Sequence, residues 1–428
     1  MQTRTSVLKK LVFRFNLHYA LVQGFYWMSY ACLVSFAAVL LQAKGFTMGA
    51  VGVILAVSNI VSVVLQPKVA AAVDRNPNVH LKNVIAGFTG AAVLFCLLLN
   101  LGDGSAVLTA VFFIGGSMLH ITLQSLVNAL GMETIEKGVP INYGLGRGAG
   151  SVSFAILTFF LGDWVEDQGI RVLIFGFALL AAVMALLCLL YLVPVQPGYW
   201  KARDEQGRRY SVERALRESR PSLDESKNKG VQRKKSTGNP KEFFQKYPAF
   251  GLALVGMVCM HTSHAFFNNY MISIAEKCGG SSGVTGICMG IAAFTELPML
   301  VIFNKILEKW PVERVIQAAA IGFSVKAAVA LAASSVPMLY VAQFCQIFAY
   351  ALYMPSLVHF SRKSVEVEDM VQGQAYGGIS MSIAGVLGSL GGGFLIDGMG
   401  VNGMLVVAVV LPLIGFGIFT ASRRKKVR

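Results

Sequence analysis

Three charged side chains lie inside apolar runs long enough to cross a membrane: Arg147, Glu296 and Lys326. Glu296 is the sole charge in the 21 residues Gly283–Phe303. At 1.5 Å per residue that run reaches across a hydrocarbon layer of ~30 Å. An ionised carboxylate at such depth costs about 3 kcal/mol even on insertion scales, so it persists where it has a partner, a proton or a task. The other acids fall in loops or at the ends of apolar runs. A buried carboxyl group with two buried cations in the chain can carry a proton, grip a polar cargo, or staple helices as an ion pair.

Polar and aromatic residues recur at helical spacing in five of the apolar runs. Tyr19, Gln23, Tyr26 and Tyr30 share one face, as do Ser117, His120, Gln124 and Asn128. Arg147, Ser151 and Phe154 form a third stripe, His261, His264 and Asn268 a fourth, and Gln343, Gln346, Tyr350 and Tyr353 a fifth. One such stripe is ordinary interhelical hydrogen bonding, worth about 1 kcal/mol per pair in a membrane. Five, drawn from both halves of the chain, predict a shared wet cavity. Rings that stack on a sugar face or a base, with amides and phenols as paired donors and acceptors, suit a polyhydroxylated or heteroaromatic ligand.

The elements that position these residues follow from composition. The 428 residues are 55% hydrophobic and 14% charged, which is too apolar for a soluble globule of this size. Breaks in hydropathy predict twelve spans, roughly 17–42, 47–72, 82–101, 105–130, 142–163, 170–194, 248–275, 283–305, 313–334, 336–360, 371–395 and 399–421. The expected fold is therefore all-α: a six-helix bundle over 1–195, a linker over 196–247 and a second six-helix bundle over 248–428, related by pseudo-symmetry.

The net charge of +15 reports topology rather than a nucleic-acid partner. Apart from Lys44, Arg171 and Lys277 in loops on one side, and Arg147 and Lys326 within spans, the 37 Lys and Arg fall on the other side with both termini. That asymmetry predicts an inner or plasma membrane with cytoplasmic termini. Gln196–Tyr247 carries fourteen Lys or Arg and few apolar residues, so a disordered or loosely helical tether is expected, with any helix along Val212–Glu218. Seven scattered cysteines with no metal-type spacing predict neither a disulfide framework nor a metal site. No HExxH, GxSxG, Walker-type or dinucleotide-binding motif occurs in a fitting context, so neither an enzyme nor a cofactor is expected.

Several motifs resemble the major facilitator superfamily, and within it the lactose permease type of oligosaccharide:proton symporter. Leu65–Gln66–Pro67 running to Asp74–Arg75 resembles that family's Gln-Pro and acidic-basic loop motif, with Ala70 where its glycine is usual. Tyr143–Gly144–Leu145–Gly146–Arg147, continuing through Ser151 to Phe154, resembles its fifth-helix stretch. Thr295–Glu296–Leu297 and Ser324–Val325–Lys326 resemble its Gly-Glu-Leu and Ser-Val-Arg. The resemblance implies that Arg147 binds sugar, that Ser151 and Phe154 stand at the site with Phe154 stacking, and that Asp74 and Arg75 gate. It also implies that Glu296 and Lys326 form the recognition and coupling pair. Tyr353–Met354–Pro355 stands where the family has Glu-Val-Pro, Tyr350 stands at its histidine, and Met132 at its fourth-span acid. Nucleoside:proton symporters share the layout.

On this reading a monomer takes up a small polar solute, sugar or nucleoside, with protons. Glu296 does double duty and Arg147, Ser151, Phe154, Asn268, His264, Tyr350, Tyr353, Gln124, Asn128, Tyr26 and Gln23 line the cargo. A second reading takes Arg147 and Lys326 as a clamp for an anionic sugar derivative. A third is drug:proton antiport, although Gly144–Gly150 lacks the Gly-Pro motif of such antiporters.

Overall fold

In lipid every backbone N–H and C=O must find its partner within its own segment, so apolar runs of this length become helices. The computed structural model describes residues 2–76, 79–101, 104–136, 141–191, 201–203, 209–211 and 239–424. Ten helices among them are long and apolar enough to cross a membrane: Val12–Ala43, Met48–Val73, Leu81–Leu98, Ala106–Ile135, Tyr143–Gln168, Arg171–Leu189, Pro248–Lys277, Val312–Ala332, Val336–Lys363 and Val367–Arg423. A pair bent by 55°, Ser282–Met299 with Val301–Lys309, adds an eleventh. Pro298 explains the bend, because it lacks an N–H and its ring crowds the preceding turn.

The last helix holds two crossings. Gly400 has φ 70 and ψ 176, outside any helix. Tyr270 donates to the Ser389 carbonyl while Ser263 donates to that of Ala408 at 2.8 Å. On one straight helix positions 389 and 408 would stand ~28 Å apart, against ~10 Å between 263 and 270, so the chain reverses at Gly400. Twelve spans result among the described residues, numbered here in chain order, so the first begins and the last ends on the same side.

Spans one to six and seven to twelve form two bundles. Tyr19, Tyr26, Leu123 and Met184 pack in a cluster of the first, and Met257, Phe323, Tyr353 and Phe419 in a cluster of the second. A third cluster runs from Phe36 and Leu40 to Phe266 and Met271 and joins the bundles. Phe160, Leu179, Val301 and Phe394 stay exposed on the outside, where lipid covers them.

The bundles repeat one another in detail. Gly45 after span one and Gly279 after span seven both have positive φ, and so do Gly169 and Gly400 at the turns from five to six and eleven to twelve. These turns demand a left-handed residue, and glycine takes it without a Cβ clash. Lys44 donates to the Leu99 carbonyl ending span three, 3.0 Å. Lys277 donates to Ala330, Leu331 and Ala333 ending span nine, at 3.0, 2.7 and 3.0 Å. Each ammonium answers carbonyls that a helix end leaves without partners.

Two pieces of the linker differ from a plain tether. Lys201–Arg203 pairs antiparallel with Arg209–Ser211, Lys201 opposite Ser211. Pro240–Lys246 is helical, capped by Asn239, whose side chain accepts from the Lys241 amide at 3.1 Å. Lys246 bonds Asp369 at 2.8 Å and Glu366 at 2.7 Å, and Tyr247 donates to Asp369 at 2.8 Å. Asp369 first, then Glu366, holds the Lys246 ammonium above its usual range. The helix expected along Val212–Glu218 lies outside the described residues.

Lys277→Met strips three carbonyls of one donor, a cost of about 1–3 kcal/mol. A midpoint of heat-induced aggregation lowered by a few °C in detergent is the expected result, and an unchanged midpoint would show the cap to be dispensable.

Candidate functional site

Two local departures from the α-helix flank the middle of the molecule. Span one makes a π-turn over Ala31–Ser35, where the Phe36 amide bonds the Ala31 carbonyl at 3.1 Å. Span ten breaks between Val336–Phe344 and Tyr350–Lys363: Cys345–Phe348 is a 3₁₀ turn and Ala349 has φ −105 and ψ −102. Gly322 on span nine makes room for the Phe348 carbonyl, which a Cβ there would strike. Broken helices at membrane depth are tolerated where they are buried in protein or line a cavity.

Just before the π-turn, Trp27 faces span five, with Tyr30 beside it. The Arg147 guanidinium lies over the Trp27 ring, 4.2 Å from its centroid. Phe154 meets Trp27 edge-on at 6.5 Å and Tyr30 meets it at 5.1 Å. Gly150 makes this possible, since a Cβ at that position would run into the indole. A guanidinium stacked on an aromatic face keeps its in-plane donors free for a carboxylate, phosphate or pair of hydroxyls. Arg147 donates to no acceptor among the described residues.

Across from it, Glu296 on span eight is half-buried. Lys326 on span nine is 2% exposed and donates to Gln346 Oε1 at 2.7 Å, and its ammonium sits 4.5 Å over the Phe267 ring. Gln346 Nε2 approaches Glu296 Oε1 at 3.5 Å, a long contact. Because an ammonium only donates, Gln346 must turn its carbonyl to Lys326 and its N–H toward the carboxylate. Tyr350 stacks on His264 with centroids 4.0 Å apart, and His264 Nε2 meets Asn268 Nδ2 at 3.1 Å. The charge of Arg147 reaches both Glu296 and Tyr350, and Tyr30 is within electrostatic range of Tyr350. Arg147 of the first bundle and Glu296 of the second, each half-buried, are thus in electrostatic range of one another.

The sequence-predicted residues divide into two groups. Arg147 and Phe154 gather on Trp27 in the first bundle, Glu296 and Lys326 flank Gln346 in the second, and Tyr350 and Asn268 both meet His264 there. Ser151 is half-buried on the span-five stripe. Tyr26 is sealed in the first bundle, stacked on His120 at 5.0 Å with its hydroxyl toward the His120 carbonyl. Gln23 bonds Tyr19 at 2.8 Å and Asn128 at 3.1 Å, a network within the same bundle, and Gln124 is half-buried on the same face as Asn128. Tyr353 is fully buried and donates to the Met257 carbonyl at 3.2 Å, so its hydroxyl is engaged inside the second bundle. The side chains of Asp74 and Arg75 lie outside the described residues. Trp27 lies on none of the predicted stripes, whereas Gln346 lies on the fifth, though not among the residues expected to touch cargo.

This architecture is that of a multi-pass membrane protein with two six-helix bundles, the fold of a major facilitator transporter. The chain belongs to the MFS_1 like family, whose model matches residues 17–405. It is similar in structure to the nucleoside transporter NupG, with a TM-score of 0.73 at 12% identity, covering 96% of this chain and 98% of that one. It is also similar to a bacterial homolog of the human lysosomal transporter Spinster, inward-facing and unoccupied, with a TM-score of 0.64 at 13% identity, covering 96% and 97%. No curated protein matches it in sequence.

Gln346→Leu leaves the Lys326 ammonium buried without its acceptor, a loss of several kcal/mol for an unpaired buried charge. Adding Lys326→Met removes the orphan. The single variant should unfold well below the parent in a thermal-shift assay and the double variant should recover most of the difference. No recovery would mean that Gln346 does something other than satisfy Lys326.

Proposed function

We propose that the chain is a secondary active transporter that takes up a small polar solute, a nucleoside or a sugar, together with protons by alternating access. It acts as a monomer in an inner or plasma membrane with both termini cytoplasmic. It is not an enzyme. Its working units are a bundle over 1–195, a tether over 196–247 and a bundle over 248–428.

The observation that carries this reading is that Arg147, one turn into span five, and Glu296, midway along span eight, lie within electrostatic reach across the two bundles, with Trp27 and Phe154 beside the first and Tyr350 in range of both. A cargo bridging both bundles binds one conformation better than another, which is what a ligand must do to shift an equilibrium. Glu296 Oε1 faces Gln346, and Oε2 has no hydrogen-bond partner among the described residues. That second oxygen is the one placed to take a proton or to accept from cargo. Ser151, Asn268 and His264 supply further polar contacts, and Asp74 with Arg75 is the gating pair at the end carrying the termini. The likeness in fold to a nucleoside transporter supports a nucleoside as the first cargo to try.

Glu296→Gln keeps a hydrogen-bonding group but cannot ionise. In proteoliposomes it should exchange radiolabelled uridine or a disaccharide across the membrane while failing to concentrate it. Accumulation against a gradient by this variant would remove the coupling role from Glu296.

The unanswered donors of Arg147 favour a second reading, an anionic cargo such as a sugar acid or phosphorylated sugar. Thermal stabilisation of purified protein by a sugar phosphate but not by uridine or disaccharide, lost in Arg147→Gln, is its expected signature.

A further inference from the structure

The end of the molecule opposite the termini is held shut by contacts that the bundles make with one another twice over. Between spans two and eleven, the Asp397 carboxylate accepts from the Gly49 amide, 2.9 Å, in the first turn of span two. Gly52 lies against the Ser389 carbonyl and Gly393 against that of Met48, each so close that a Cβ would overlap it. Between spans five and eight, the Glu166 carboxylate accepts from the Ser281 hydroxyl at 2.6 Å and from the Gly283 amide at 3.4 Å, at the start of span eight. Gly286 lies against the Thr158 carbonyl and Gly162 against that of Ser282, with the same lack of room.

The correspondence holds position by position. Span eight is to the second bundle what span two is to the first, and span eleven what span five is. Gly49, Gly52 and Met48 therefore match Gly283, Gly286 and Ser282, while Ser389, Gly393 and Asp397 match Thr158, Gly162 and Glu166. Gln42 and Glu276 occupy matching places at the ends of spans one and seven, and they bond each other at 3.1 Å. The pseudo-twofold axis passes between them.

We infer that this end closes through two copies of one latch, each a carboxylate seated on the first amides of a helix in the opposite bundle. The glycines allow the backbones to touch, and the carboxylate supplies the directional bond. Helix-start amides lack partners of their own and carry the positive end of the helix dipole, so an anion there forms charge-assisted hydrogen bonds. The glycine contacts are dispersion between backbones and fade over a fraction of an ångström. The carboxylates fix the register in which those contacts are made. Opening this end has to part both latches, because the axis between Gln42 and Glu276 makes their separations equal.

The inference concerns the conformational equilibrium and does not depend on which cargo or coupling ion is used. Spin labels at Gly104 and Gly398, where an added side chain meets nothing within 4 Å, report the distance between bundles at this end. Loss of a hydrogen bond to a charged group shifts an equilibrium by about tenfold. In full-length protein in nanodiscs, Glu166→Ala and Asp397→Ala should each raise the ratio of long to short distances by that factor. The double variant should raise it about a hundredfold, since the sites share no partner. Glu166→Gln and Asp397→Asn, which keep shape and an acceptor, should move it less in the same direction, and Asp167→Ala, beside Glu166 in sequence, should not move it. An unchanged distribution in the two alanine variants, or a shift from only one of them, would overturn the paired latch.

Discussion

Charge inside a hydrocarbon layer must be answered by atoms within its own reach, because no water stands by to do it and the field falls off slowly in a low dielectric. Around the centre of this molecule that constraint is met in two ways. Lys326 is given a carbonyl by Gln346 and an aromatic face by Phe267. Arg147 is given the Trp27 face and, among the described residues, no acceptor. The first arrangement spends the cation within its own bundle, and the second leaves a cation whose donors point to whatever enters. The departures from helical geometry in spans one and ten follow from the same need, since a π-turn and a 3₁₀ break redirect side chains that an unbroken helix would send elsewhere.

The charged residues were legible in the sequence for a simple reason: each stands out against an apolar run, and lipid makes that contrast costly. Span positions and the two-bundle layout were legible on the same ground. The stripes were a coarser guide. Helical spacing identifies a shared face, but it cannot tell a face turned toward the other bundle from one turned toward a neighbour in the same bundle. Tyr26 and Tyr353 lie on such stripes, yet their hydroxyls are engaged by backbone carbonyls of His120 and Met257. Trp27 was passed over for the opposite reason. An indole counts as apolar in any polarity pattern, although Gln23, Trp27 and Tyr30 share a face as well as Gln23, Tyr26 and Tyr30 do. The break in span ten carries no glycine or proline within Cys345–Ala349, and its signal lies on the neighbouring helix, in the small residue Gly322. The short helix Pro240–Lys246 was hidden by the charge of the segment around it, and it is tertiary ion pairing with Glu366 and Asp369 that holds it.

Repetition between the bundles runs deeper than the count of spans suggests. Turn glycines, lysine caps and backbone-to-backbone approaches recur at matching places, although the side chains between them do not. What recurs is whatever the backbone path dictates: a left-handed residue where the chain reverses, a donor where carbonyls are stranded, and a missing Cβ where helices touch. The charged residues within the spans differ. An arginine stands in one bundle and a carboxylate with a lysine in the other, so a symmetric frame encloses an asymmetric interior.

The pair on the axis shows divergence of another kind. A residue on a twofold axis confronts its own counterpart, so a perfect repeat of Glu276 would have put a carboxylate against a carboxylate. Gln42 opposite Glu276 resolves this with a donor on one copy and an acceptor on the other. Two halves that follow one backbone path can share every contact made off the axis, but a charged residue on the axis has to meet something other than its own copy.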